Sequence, residues 1–471
     1  MADKQKAMIR FTKMSFFSVV GLLLGLIIAV GILTYIVPAG HYIEDEFGNV
    51  TAEFVFQDAQ NRLPVYRWFT APFEVWVSND SLTLLFLSLL LLIMGGTFYI
   101  IENTGGMQAI INAIIRKFSK YRYTIIWVTI FFFMLLAALF GTFEDGIILL
   151  PIVMIMCRAM KWDNLTALGM MLLAAGVGIS CTLINFFSIG LASKLAGTNV
   201  LTGIWLRIML WLLMWVLTSL FVTFMFAKKA EKRNQEQGIN CDREALLKDI
   251  GESTPEEQKK VKVFTAFYIS IFSVIIFTYL VPVLVDYIMP IMCLAFLFGS
   301  IFCGCILSKC IKSTLKYFGK GMFAIAPAII ILMMSLSIKY IAERGEILQT
   351  IFYHFSEMTT RTGPYATIII IYLTIFFFNF FIPSSSAKIV IMIPLLTLSP
   401  IAGISKELIV LAFVLNGGFA DVFFPTSPVL LIGLSFAEVS YLTWFKKTVL
   451  FQILILIISC AVLLLGVSIG Y

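Results

Sequence analysis

The sequence predicts an all-α, polytopic membrane protein made of two inverted-topology repeats, each with a re-entrant hairpin and a broken helix. Three observations predict it. The chain is 60% hydrophobic, with 44 phenylalanines and only 13% charged residues among 471, more apolar surface than a soluble fold of this length hides. Apolar runs of about 20 residues, the length that crosses ~30 Å of hydrocarbon, recur from end to end. Four segments place charged, hydroxyl, amide or glycine residues inside such runs, where an unpaired polar group costs several kcal/mol.

The elements follow in order. Apolar runs cover 15–37, 82–101, 201–227, 264–284, 288–308, 321–341 and 443–470. The first follows Lys4, Lys6, Arg10 and Lys13 and is too long for a cleavable signal, with no small-x-small site behind it, so it reads as a retained span. Residues 39–80 hold Glu44, Asp45, Glu46, Glu53, Asp58, Glu74 and Asp80 against Arg62 and Arg67. The positive-inside rule therefore puts the N-terminus in the cytoplasm and this segment outside. Arg116, Lys117, Lys120 and Arg122 mark the return. Both flanks of 123–160 are basic, and 147–160 contains Pro151 and is short for a crossing. A hairpin that re-enters the membrane and turns at 141–146 is expected there.

Residues 165–199 collect Gly176, Gly178, Thr182, Asn185 and Ser188 near the middle of a span, the pattern of a helix broken at membrane depth. The hydrophilic stretch 228–262 is expected to be a cytoplasmic linker. It separates a first repeat, 1–227, from 263–471, which holds an extra span and the second repeat. There "YATIIIIYLTIFFFNFFIPSSSAKIVIMIPLL" echoes "YTIIWVTIFFFMLLAALFGTFEDGIILLPIVM", with Pro394 in the place of Pro151. This gives a second hairpin over 364–402 and a second broken helix over 406–438. Lys309, Lys312, Lys316 and Lys320 orient the second repeat opposite to the first. Inverted repeats with paired hairpins and breaks are the signature of a secondary transporter with its site near the midplane.

The polar insertions are the candidate site. Ser384, Ser385, Ser386 and Lys388 fall at the second hairpin tip, where free N–H groups and the dipole of the returning helix favour a carboxylate. Glu144 and Asp145 at the first tip suit a cationic group, a coupling cation or a proton. A structural contact with Lys388 is the alternative. Asn185 and Ser188 in the first break, and Asn416, Asp421, Thr426 and Ser427 in the second, offer oxygens to substrate or to a hard cation such as sodium. Local helix capping is the competing role for each. We assign Ser384, Ser385, Ser386, Lys388, Asn185, Thr426 and Ser427 to substrate, and Glu144, Asp145, Asp421, Asn416 and Ser188 to coupling or to a cationic group.

Other classes fit less well. The net charge of +7 belongs to loops that set topology, so no nucleic-acid partner is expected. Eight scattered cysteines and two histidines, His41 and His354, lack metal-site spacing. No nucleotide-binding or metalloprotease motif occurs, and no nucleophile–base pair suggests an enzyme. A channel or membrane receptor could use the same buried polar groups, but paired hairpins favour a carrier. No cofactor is expected beyond a coupling sodium ion or proton, whose ligands the sequence does not identify.

"LTYIVPAGHY" at 33–42, "MGGTFYIIENTGGMQAII", "FIPSSSAK", "FFPTSPVLLIGLSFAEVSYLTWFK" and the terminal span resemble the YfcC-like family of the ion transporter superfamily. That family includes anaerobic four-carbon dicarboxylate carriers and arginine/ornithine antiporters. The resemblance covers nearly the whole chain. It implies a scaffold plus an elevator-type transport domain, a homodimer, and residence in a bacterial inner membrane. Where the family reads Pro-Ser-Gly-Ser-Gly, this chain has Ser385 and Ala387 at the glycine positions, followed by Lys388. Asn185 is followed by Phe186 and Phe187 where Asn-Pro-Phe is common, and Ala420 and Asp421 replace Thr-Asn. The expected function is secondary transport of a small carboxylate-bearing metabolite, with an amino acid favoured, including basic amino-acid exchange. The alternative is sodium- or proton-coupled di- or tricarboxylate transport.

Overall fold

The computed structural model describes residues 13–44, 50–57, 63–78, 80–141, 143, 147, 149–238, 252–285, 287–359, 362–382, 385–397 and 403–471. Among them the chain is nearly all helical, and eight helices are long and apolar enough to cross a membrane. It is a multi-pass membrane protein. Phe323 and Leu450 stand 84% and 75% exposed on the outside of the bundle, where an apolar surrounding such as lipid favours them.

The first half runs through Lys13–Ile36, the short helix Tyr66–Glu74, Ser81–Asn103, the amphipathic Gly106–Phe118, Arg122–Phe140 and Leu150–Ala159. Between the first two helices lies an antiparallel pair, Gly40–Glu44 with Val50–Phe56, which corrects the all-α expectation. Its alternating signal is short and lies outside the apolar runs. Phe54 stacks on Tyr353 and Tyr42 meets Phe352 edge to face, so the strands are held by tertiary packing more than by local propensity.

Two further boundaries differ from expectation. The run at 321–341 straddles a break: Ile311–Ile325 and Pro327–Arg344 meet at a bend of 40°, because Pro327 has no N–H and its ring blocks a continuous helix. The linker expected over 228–262 is partly helical. Ile204–Phe221 continues through a π-helical turn into Lys228–Glu236, and the next helix starts at Pro255 behind a Thr254–Glu257 capping box. Lys, Glu and Gln there are good helix formers, in keeping with the short helical pattern of this linker.

Lys13–Ile36 packs on Pro327–Arg344, and Ile288–Ser308 packs on Ser81–Asn103. Arg122–Phe140 lies on Ala174–Ser180, and Pro364–Phe381 lies on Lys406–Asp421. These two pairs of contacts correspond between the halves. The two ends of the 122–162 segment also meet. Arg122 donates to the Met160 carbonyl at 3.2 Å, and Tyr123 stacks on Trp162. The returning helix Leu150–Ala159 has ten residues, about 15 Å at 1.5 Å per residue, half of a crossing.

Candidate functional site

The site is built on two interrupted helices. In the first, Asn164–Leu168, a π-helical turn and Ala174–Ser180 lead to an unwound stretch at 181–185, then to a second π-helical turn, Phe186–Gly190, and Leu191–Ala196. In the second, Lys406–Asp421 is followed by unwound 422–427 and Pro428–Phe436. Unwound carbonyls inside a membrane protein must find donors. The helix after each break supplies one from its fourth residue. Arg207, 1% exposed, donates to the carbonyls of Leu183 at 2.9 Å and of Val200. Trp444, wholly buried, donates its Nε1–H to the Val422 carbonyl at 2.9 Å. Tyr441 adds a hydroxyl to the Phe423 carbonyl at 2.9 Å, and Ser335 adds one to that of Thr426 at 2.6 Å.

The segment expected as the second hairpin packs against the elements around these breaks. Its first arm is Pro364–Phe381 and its second is Ser385–Thr397, so Lys388 sits in the first turn of the returning helix. That arm packs against Phe186–Gly190, Leu191–Ala196 and Lys406–Asp421. Lys388 is wholly buried and donates to Oδ1 of Asn379 on the first arm. Its ammonium also lies within electrostatic reach of Asp421, which is itself buried and has no hydrogen bond or ion pair among the described residues. A buried cation and a buried anion on packed helices, without an ion pair between them, leave each other partly uncompensated.

Asn416 was expected in the second break and is instead well inside Lys406–Asp421. Its Nδ2 donates to the carbonyls of Tyr372 and Ala412 at 2.9 and 3.2 Å, tying this helix to the first hairpin arm. Among the described residues its Oδ1 is buried with no hydrogen-bond partner, as is the hydroxyl of Thr426. These two oxygens are available to a ligand or a hard cation. Ser427 caps Pro428–Phe436 by accepting from the Leu430 N–H at 3.5 Å, the local role weighed for it above. Ser188 is buried in the π-helical turn. Asn185, 2% exposed, faces the end of the first hairpin: a Cβ on Gly141, whose φ is +77°, would stand 2.5 Å from its Nδ2. Glu144, Asp145 and Ser384 lie outside the described residues, as do the side chains of Ser385 and Ser386.

The structure therefore brings the helices carrying Lys388, Ser188, Asn416 and Asp421 against one another. Asn379 and Arg207 were not singled out from sequence. Each had a signal, a lone polar residue in "FFFNFF" and in "GIWLRIML". Among the described residues no group of three or more His, Cys, Asp or Glu is placed to hold a metal ion.

Comparison with known proteins gives a consistent family. The chain is 25% identical over 425 residues to a protein of Escherichia coli K12 named as a candidate basic amino acid antiporter, YfcC, covering 85% of this chain and 81% of that one. It is 24% identical over 385 residues to an uncharacterized protein of Haemophilus influenzae Rd, covering 80% and 74%. The YdaH transporter of Alcanivorax borkumensis aligns over 97% of this chain and 98% of its own, at 15% identity and a TM-score of 0.43. The model of the C4-dicarboxylate anaerobic carrier family matches residues 16–468, nearly the full length, and the chain belongs to that family of transporters.

Proposed function

We propose that this transporter carries a zwitterionic amino acid, a basic one of the arginine or ornithine type, and exchanges it by alternating access. The observation that carries this reading is a buried ammonium, Lys388, and a buried carboxylate, Asp421, on helices packed against each other. A zwitterion presents a carboxylate to the first and an ammonium to the second, and its own charges match the site's. A C4-dicarboxylate would bring two negative charges to a site whose charges already offset, and would need sodium or protons to accompany it. The name of the E. coli relative agrees with the first reading. The family description favours the second, in which Asp421, Asn416 and Thr426 would serve a coupling sodium ion or proton.

The same proposal takes 1–227 as the first inverted repeat and 263–471 as an extra span and the second, both around this site. The exchanged helix contacts and the matching donors Arg207 and Trp444 support it. A cytoplasmic N-terminus rests on the distribution of Lys and Arg. The elevator motion, homodimer and bacterial inner membrane rest on the family resemblance.

A thermal-shift screen of purified protein against amino acids and mono-, di- and tricarboxylates, with and without sodium, tests the reading. Arginine or ornithine should stabilise the wild type, and Lys388→Ala and Asp421→Asn should each lose that shift while remaining folded. Stabilisation by dicarboxylates alone, dependent on sodium, would replace it with the coupled dicarboxylate mechanism.

A further inference from the structure

Away from Lys388 lies a cavity of about 380 Å³ between the β-hairpin, the turn joining Pro327–Arg344 to Ile347–Thr359, and the second hairpin. Its polar wall is His41, Glu343, Glu346 and Gln349, and its apolar wall includes Phe352 and Phe378. None of these residues belongs to the site described above.

Glu346 is the unusual member. Its backbone takes φ +50°, a left-handed conformation that a glutamate adopts at a cost. One of its carboxylate oxygens, Oε2, is buried with no hydrogen-bond partner, and it forms no ion pair within 4 Å among the described residues. Thr350, wholly buried, also has an unpartnered hydroxyl. That hydroxyl points at Gly40 of the cavity wall, 3.0 Å from where a Cβ would stand. Two buried polar atoms without partners in and beside one cavity indicate a missing donor.

The neighbours define its chemistry. Lys339 is already taken by Asp80, at 2.8 Å to each oxygen, and lies 3.5 Å from Glu343. Gln349 accepts from the Tyr42 N–H at 2.7 Å. His41 faces Gln57 at 3.4 Å. Among the described residues Glu346 therefore has no ion-pair partner. Its aromatic neighbours Phe352 and Phe378, in edge-to-face contact, suit an organic cation, whose charge sits well on aromatic faces. The described side chains do not form a metal cluster.

We propose that this cavity is a second binding site, for the guanidinium or primary ammonium end of a small organic cation, centred on Glu346. It lies on the side of the β-hairpin and reaches Phe378 and Ile382 of the second hairpin. It thus forms a vestibule that selects positively charged molecules before they reach Lys388. The proposal rests on the basic amino acid reading for the identity of the molecule, and stands apart from it in its residues.

The probe is agmatine, which carries guanidinium and ammonium groups but no carboxylate, measured by calorimetry on the purified full-length protein. Wild type should bind it. Glu346→Gln should weaken binding about tenfold or more, the scale of one hydrogen bond to a charged group. Glu346→Gly removes the carboxylate yet accepts φ +50° without strain, so it should stay folded and also lose agmatine. Absence of agmatine binding to wild type, or full binding by folded Glu346→Gly, overturns the proposal. L-Arginine in parallel separates the two readings. Binding of agmatine but of no amino acid would remove the amino-acid reading and leave the vestibule. Binding of arginine through Lys388 without agmatine would remove the vestibule alone.

Discussion

Gly176 and Gly418 cross backbone to backbone where the two broken helices meet: a Cβ on Gly176 would stand 2.7 Å from the Gly418 carbonyl oxygen. The Ser180 hydroxyl, one turn further on, accepts the Phe419 N–H at 2.7 Å. Only glycine permits this approach, and it fixes the relative position of the two breaks. Gly418→Ala places a methyl group against backbone, which cannot rotate away. It should destabilise the protein by about 1–3 kcal/mol or more, read as a lower unfolding temperature in detergent together with weakened substrate binding. An unchanged melting curve with normal binding would mean that the crossing can open without consequence.

Glu231 is the corresponding fixture at the base of the first hairpin. It accepts from Tyr123 Oη at 2.6 Å and Trp162 Nε1 at 2.7 Å and pairs with Arg122 at 2.5 Å. The hairpin's entry, its exit and the helix ending at Glu236 thus share one carboxylate. In Glu231→Gln the amide oxygen can keep Trp162 and Arg122 while its NH2 donates to the Tyr123 hydroxyl, so what is lost is the carboxylate charge. About 1–2 kcal/mol should go with it, the difference between hydrogen bonds to a charged and to a neutral group. Proteolysis or hydrogen exchange should then rise selectively over 122–162. A uniform change across the chain would show that Glu231 acts on global stability and does not clamp this segment.

The spans were legible because hydropathy and length decide them, and 288–308 was read to the residue. The interruptions at 181–185 and 422–427 were legible too, since glycine, amide and hydroxyl groups have no other reason to gather in an apolar run. Other features depend on what lies across the fold. No local pattern says that Asn379 would meet Lys388, that Arg207 would hold the Leu183 carbonyl, or that Asn416 would stay helical by bonding Tyr372. The 40° bend at Pro327 had its signal in the sequence. It was hidden because the apolar run continues through it.

Glu74 gives the most direct pH test. Burial works against its ionisation, but hydrogen bonds from Arg67 at 2.6 Å, Thr70 at 2.5 Å and Tyr340 at 2.8 Å outweigh it. They hold the carboxyl down at about 2, against an ordinary 4.5. The network ties the short helix Tyr66–Glu74 to Pro327–Arg344. Because the folded-state value is depressed, its contribution is complete above the ordinary carboxylate range and is lost as pH falls from about 4.5 toward 2. Glu74→Gln mimics the protonated form. Its unfolding temperature should lie below that of wild type by a constant amount from about pH 5 to pH 8, and the gap should close on acidification. A gap that persists unchanged to pH 3 would assign the effect to shape, leaving the Arg67 pair without net value.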